Sequence, residues 1–351
     1  MLATLGMHCA ILTLSRIVFT KYNVILGMSI SNFHKKLKYI FCFLAICMGL
    51  FFYPLESYGQ NKKIDSITKV LDKQQQLDDN RARTLFNLAA QKLQYDAKSA
   101  LKNIDEIISF KEKIANENIV SAAYRVKGII FYHLSQYKEA LEFLNKALII
   151  DSKLKSYDGI GGDLGTIGLI HMTQSKFPEA LKYYLESLSN FEKTKKNQVD
   201  EALTLVNIGT VYNEMGDPKQ AMANYQKSYQ VFKNINHFSG QSSTLTNIGI
   251  IHFKNKNIKE AIKYTTLSLK IADSLKDLRS VARDNGNLSA YYTELSMPDL
   301  ALVHGLKAIE INKKIGGKKS LGINYQNVSS AYLKKNNFKL AKTYGIDKPP
   351  N

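Results

Sequence analysis

The 351-residue sequence predicts an all-α protein. The architecture expected is a solenoid of antiparallel helix pairs with about 40 residues per repeat. Three observations lead to that fold class. Small residues recur at an almost constant interval, at Gly128, Gly168, Gly209, Gly249, Ser289 and Ser329. Twelve positions after each of these register marks stands an alanine: Ala140, Ala180, Ala221, Ala261, Ala301 and Ala341. Three positions after each comes a ring, in the order Phe131, His171, Tyr212, His252, Tyr292 and Tyr332. A pattern locked in phase over this many copies belongs to units that bury their apolar faces only against their neighbours.

Residues 1–59 read differently. Lys35, Lys36 and Lys38 form a basic stretch, followed over residues 39–54 by an apolar run with Phe41, Leu44, Ile46, Leu50 and Phe51. Ser57 and Gly59 are small residues at the −3 and −1 positions of a cut before Gln60. This is the layout of a secretory signal peptide, with Met28 at the distance of a start. The run is shorter than the roughly 20 residues of a spanning helix, and Ile46 is too large for a lipidation signal at Cys47. The expectation is an exported protein, periplasmic or on the outer face of the membrane, either cut near Gln60 or held by the uncleaved segment. Cys9, Cys42 and Cys47 all lie before the cut. The mature chain therefore has no thiol for a disulfide, a zinc–thiolate site or a nucleophile.

Residues 60–80 predict a leading helix and turn. Ile64, Ile67, Val70 and Leu71 line one side of a helix over 61–76, and Asp78, Asp79 and Asn80 supply turn and N-cap chemistry. The solenoid occupies residues 81–351 in about seven units. The first, 81–116, is degenerate, with Leu85, Leu88 and Leu93 on one helix and Ala100, Ile104 and Ile107 on the next. Full units follow at 117–157, 158–198, 199–238, 239–278 and 279–318. A seventh starts near Lys319 and is truncated, because Pro349 and Pro350 stop a helix. The segment from Leu205 to Tyr225 shows the hairpin best. Gly209 and Ala221 mark where its two helices touch, and Tyr212 and Tyr225 fill the surrounding space. Gly216 and Asp217 turn the chain, and Pro218 suits a first helical position, where no amide hydrogen is needed. Pro178 and Pro298 stand in the same register, and Ala147, Ser187, Ser228, Ser268 and Ala308 repeat nineteen positions after the marks.

This set of small, aromatic and alanine positions resembles the tetratricopeptide repeat over roughly residues 80 to 345. The unit is longer than the usual repeat of about 34 residues. Tryptophan is absent from the sequence. The resemblance implies a right-handed array and a binding scaffold. The long period is similar also to the exported sensor regions of bacterial histidine kinases and cyclases, which implies a signal-input role beside a membrane-anchored signalling partner. Two alternatives stand next to this reading: a truncated sensor half of such a kinase or cyclase, and a structural envelope protein.

The candidate site is a ladder of amides two positions before the register mark, Asn207, Asn247, Asn287 and Asn327. In arrays of this kind that position faces the concave groove. A side-chain amide both donates and accepts, so a row of them can hold an extended peptide without reading its side chains. Val126 and Thr166 replace the amide in the first two full units, which confines the site to the C-terminal half. The alternative role for these asparagines is to bond to the neighbouring helix and fix the packing. Asn213, Ile250 and Phe253 are expected to share the groove, giving a surface for a peptide or protein ligand.

The formal net charge is +18, and removing residues 1–59, with five Lys/Arg and one Glu, leaves +14. The lysines spread over every unit, as a solvated surface does, and no specific nucleic acid is expected. His171 and His252 share a repeat position too far apart for one metal site and read as packing substitutes for tyrosine. Gly159 to Gly165 mimics a phosphate loop but lacks its third glycine and a preceding strand; it reads as a flexible lead into a helix. No catalytic arrangement, cofactor motif or metal-ligand spacing emerges, so the chain is expected not to be an enzyme.

Overall fold

The computed structural model describes residues 55–93, 96–194 and 196–346. The basic stretch, the apolar run and the cysteines lie outside the described residues, as do Pro349 and Pro350. The chain divides into two units, residues 1–70 and 71–351, and the second holds the whole repeat array. Every long element among the described residues is a helix. The first, α1 (Leu55–Lys73), starts ahead of the predicted cut. The degenerate unit is α2 (Asp79–Lys92) and α3 (Ala97–Ser109), with Asp78 accepting from the amides of Asn80 and Arg81 as the sequence suggests. Five full pairs follow: α4 (Glu117–His133) and α5 (Tyr137–Leu154), α6 (Tyr157–Thr173) and α7 (Phe177–Thr194), α8 (Gln198–Glu214) and α9 (Pro218–Asn234), α10 (Phe238–Lys254) and α11 (Ile258–Ser274), α12 (Leu278–Glu294) and α13 (Pro298–Ile315). The last pair is α14 (Lys318–Lys334) and the short α15 (Phe338–Ile346).

Each hairpin turns at the same place, seven positions past the mark, where the backbone goes left-handed. Gly216 does so at φ 82°, and Ser135, Ser175, Lys256, Ser296 and Asn336 do so without a glycine's freedom. The geometry satisfies carbonyls that the first helix leaves open: Asp217 N donates to Tyr212 O at 2.8 Å, and Asn257 N to His252 O at 2.8 Å. Asp217 then accepts from the Gln220 amide and Pro218 begins α9.

The register mark is where the two helices of a unit come closest. A Cβ added at Gly209 would lie 2.8 Å from the Tyr225 ring and 3.1 Å from Ala221 O. Where serine replaces the glycine, its hydroxyl uses the same carbonyl: Ser289 Oγ donates to Ala301 O at 2.8 Å and Ser329 Oγ to Ala341 O at 2.7 Å. The small residues nineteen past the mark tie the far end of the pair. Ser187, Ser228 and Ser268 donate to the carbonyls of Gly161, Ala202 and Ser242 at 2.7–2.8 Å.

The core is a string of small clusters, one at each junction, as a one-dimensional array requires. Ala140 and Leu144 meet Ile167 and Ile170; Ala180 and Tyr184 meet Ile208 and Val211; Ala221 and Tyr225 meet Ile248 and Ile251. Successive first helices also touch one another, from α2 on α4 to α12 on α14, and so form the inner layer of the array. The glycines from Gly159 to Gly165 do not form the flexible lead expected of them. They lie inside α6, which needs them because its neighbours approach closely: a Cβ at Gly161 would meet the Phe191 ring at 2.8 Å.

Candidate functional site

The asparagine ladder sits on the inner layer, one amide each on α8, α10, α12 and α14. All four side chains are half-buried. They do not behave alike. Asn207 and Asn247 make no hydrogen bond to the described protein, and the Asn287 Nδ2 is shielded without a partner. Asn327 Nδ2 donates to Gly286 O on α12 at 3.0 Å, the bond to a neighbouring helix that the packing alternative calls for.

Asn213, Ile250 and Phe253, assigned to the groove from the sequence, are also half-buried. Phe253 stacks on Tyr291 of α12, with ring centroids 4.5 Å apart, and belongs to the packing between α10 and α12. Asn213 accepts from Lys254 Nζ at 3.2 Å, a bond that crosses from α8 to α10. Ile250, one position past the mark on α10, lies on the face that the ladder shares. The structure thus brings Asn207, Asn247, Asn287, Ile250 and Asn213 onto successive inner helices, while Phe253 and Asn327 spend part of their surface on their neighbours.

His171 and His252 are both ring-stacking residues. His171 lies 5.1 Å from Tyr183 and His252 5.2 Å from Tyr264, nearly parallel in each case. Burial lowers the pKa of His171, which favours the neutral imidazole in the stack.

A tetratricopeptide repeat family model matches residues 164–234, which cover α7, α8 and α9 and the C-terminal part of α6. The chain carries tetratricopeptide repeats over residues 164–234, and helix pairs of the same build run from residue 79 to 346. A TPR repeat-containing protein of Methanocaldococcus jannaschii is 26% identical over 242 residues, 62% of this chain and 41% of that protein. A photosystem I assembly protein of Prochlorococcus marinus is 36% identical over 87 residues, 25% of this chain and 44% of that one. The chain thus spans less than half the length of the curated relatives it matches. Among solved structures, the apo form of the quorum sensor NprR from B. thuringiensis is similar at a TM-score of 0.66 and 19% identity, with 96% of this chain and 92% of that chain covered. A STAND protein with a tetratricopeptide repeat sensor from Pyrococcus horikoshii is similar at 0.66 and 15% identity, over 77% of this chain and 42% of that one. At these identities the two structures speak for the fold.

Sequence reasoning missed the buried acids of this array. Five positions before the mark, Asp163 and Asp284 are fully buried where one first helix crosses the next. Asp284 is well satisfied: Thr246 Oγ1 donates to it at 2.8 Å, Ser268 Oγ at 2.6 Å and Arg283 Nε at 3.0 Å. Asp163 is not. Arg125 Nε donates to its Oδ1 at 2.6 Å and the other nitrogen of Arg125 pairs with buried Asp151, but Asp163 Oδ2 has no partner. Burial pushes the Asp163 carboxyl up to about 7, with Arg125 opposing and the nearby Asp151 adding to the rise. Position −5 reads Asp163, Thr204, Thr244, Asp284 and Asn324, so a row of polar residues at an otherwise apolar period was the available signal.

Proposed function

We propose that the array is a non-enzymatic scaffold that holds a peptide or protein segment along its inner layer, with Asn207, Asn247 and Asn287 bonding the ligand backbone. The observation that carries this reading is the state of the amides. The side chains of Asn207 and Asn247 make no hydrogen bond to the described protein, although a half-buried amide ordinarily finds a partner. An extended peptide supplies alternating donors and acceptors at a spacing such a row can meet. Asn327, already bonded to Gly286, contributes less. Proteins of similar fold bear on the reading: NprR is a quorum sensor, and a Rap protein of TM-score 0.58 was solved with Competence and Sporulation Factor bound.

The same reading takes residues 1–59 as an export signal and the scaffold as a signal-input module that meets a membrane-anchored partner. Two experiments test it. Capture from envelope extract on immobilised residues 60–351, followed by titration of the captured species, supports the scaffold if one peptide or protein binds saturably. Mass spectrometry of the protein made in a bacterial host should find a mature N-terminus near Gln60; one upstream of residue 40 contradicts the cleavage.

A further inference from the structure

Most helix pairs carry a ring clasp that joins the residue three past the mark to the residue fifteen past it. Phe131 stacks on Phe143 at 5.5 Å between centroids, His171 on Tyr183 at 5.1 Å, and His252 on Tyr264 at 5.2 Å. Tyr292 on His304 and Tyr332 on Tyr344 both stand at 5.5 Å. Tyrosine and histidine exchange sides between units, so the structure keeps the stacked pair rather than a particular residue. The second ring also fills the slot between its own helix and the second helix of the preceding unit. Tyr183 of α7 packs against the cluster of Ala140, Leu144, Ile167 and Ile170, and Tyr264 of α11 against that of Ala221, Tyr225, Ile248 and Ile251.

One unit breaks the rule. In the pair α8–α9 the position fifteen past the mark is Asn224, whose amide turns back to Gln220 O at 2.9 Å. Tyr212 keeps its place beside Ile208 and Val211, with no ring laid over it. A cleft of about 550 Å³ opens there between α7 and α9, over α8. Its walls include Leu188, Leu205, Ile208 and Tyr212, and Leu185 at its edge is 46% exposed.

We propose that this cleft, which lies between second helices and apart from the asparagine ladder, binds an aromatic side chain presented by a partner protein. The incoming ring completes on Tyr212 the stack that the other units complete internally. Two features favour a ring on a polypeptide. In the other units the same slot takes a ring that arrives on a helix. Here the cleft is also flanked by Gln220 and Gln230, whose amides can bond a backbone on either side of the ring. Offset stacking and apolar contact are what a ring gains in such a slot.

The test uses the full chain, which contains no tryptophan, so an indole probe excited beyond the tyrosine absorption band is read without protein background. N-acetyl-tryptophanamide titrated with protein should show a blue-shifted, saturable emission, and N-acetyl-leucinamide should fail to displace it. In the Asn224→Tyr variant the slot is filled internally; binding should fall more than tenfold while the melting temperature rises. Methyl chemical shifts of unmodified protein give a readout independent of folding of the variant and should move at Leu185, Leu188 and Leu205. Absence of saturation at millimolar protein, equal binding by N224Y, displacement by the leucine amide, or shifts centred elsewhere would each overturn the proposal. Free indole binding as tightly as the blocked amide would overturn the choice of a polypeptide as its source.

Discussion

Replacing Asp163 by asparagine should flatten the dependence of stability on pH between 5 and 8. Asp163 is fully buried, and its carboxyl titrates at about 7 in the folded chain against an ordinary 3.8. Between those two values the folded state holds a proton that the unfolded chain has released. Stability therefore falls as pH rises from 3.8 through about 7, and levels off above it. One proton is worth about 1.4 kcal/mol per pH unit, so the change from pH 5 to pH 7 is about 2–3 kcal/mol. For a domain of 150–250 residues that is on the order of 5–10 °C in Tm. The asparagine would keep an oxygen for Arg125 Nε and leave Asp151 as the arginine's only carboxylate partner. Burial of His171 and His304 lowers their pKa and gives the opposite slope below about 6.5, in both proteins alike. The difference between wild type and variant then isolates Asp163. Thermal melts followed by circular dichroism at half-unit pH steps supply it. Parallel curves for the two proteins would show that Asp163 is ionised throughout and that its burial is balanced by Arg125.

Gly209→Ala should destabilise by about 1–3 kcal/mol, because the new methyl meets the Tyr225 ring at 2.8 Å and a backbone carbonyl at 3.1 Å; urea titration will show it as a lowered midpoint. Lys256→Gly should stabilise by up to about 1 kcal/mol, since Lys256 holds φ at 62° in a turn that Gly216 makes without strain. Its exposed ion pair with Glu294 at 3.3 Å adds little to offset that gain. Calorimetry that finds the glycine variant less stable would assign the lysine a role beyond the turn.

The array was legible in the sequence because its period is written in residues that geometry leaves no choice about. Gly209 faces a carbonyl 3.1 Å from any added Cβ, Ala221 faces Gly209, and Pro218 needs no amide hydrogen at N1. The same phase located the asparagine ladder on the inner layer. What it could not tell was which amides have other duties. Asn327 bonds Gly286 because that glycine brings α12 within reach of α14, a fact of spacing between repeats. Phe253 has a packing duty for a related reason: its ring lies over Tyr291 of the next first helix. The glycines of α6 resembled a loop because glycine signals freedom in isolation, whereas here Gly161 makes room for Phe191. The ring clasp was written in the sequence too, at Phe143, Tyr183, Tyr264, His304 and Tyr344, and needed only the second helix to be read in the same register.

The measurement that bears most directly on the scaffold reading joins affinity to stability in one variant. Asn247→Ala with Asn287→Ala removes two amides that lack protein partners for their donors, each worth about 0.5–1.5 kcal/mol to a bound backbone. The peptide or protein captured from envelope extract should then bind roughly 5- to 150-fold more weakly, at about a tenfold loss per 1.4 kcal/mol. The melting temperature should hardly move. A melt lowered by many degrees with unchanged affinity would show that the ladder fixes the packing of first helices and does not hold the ligand.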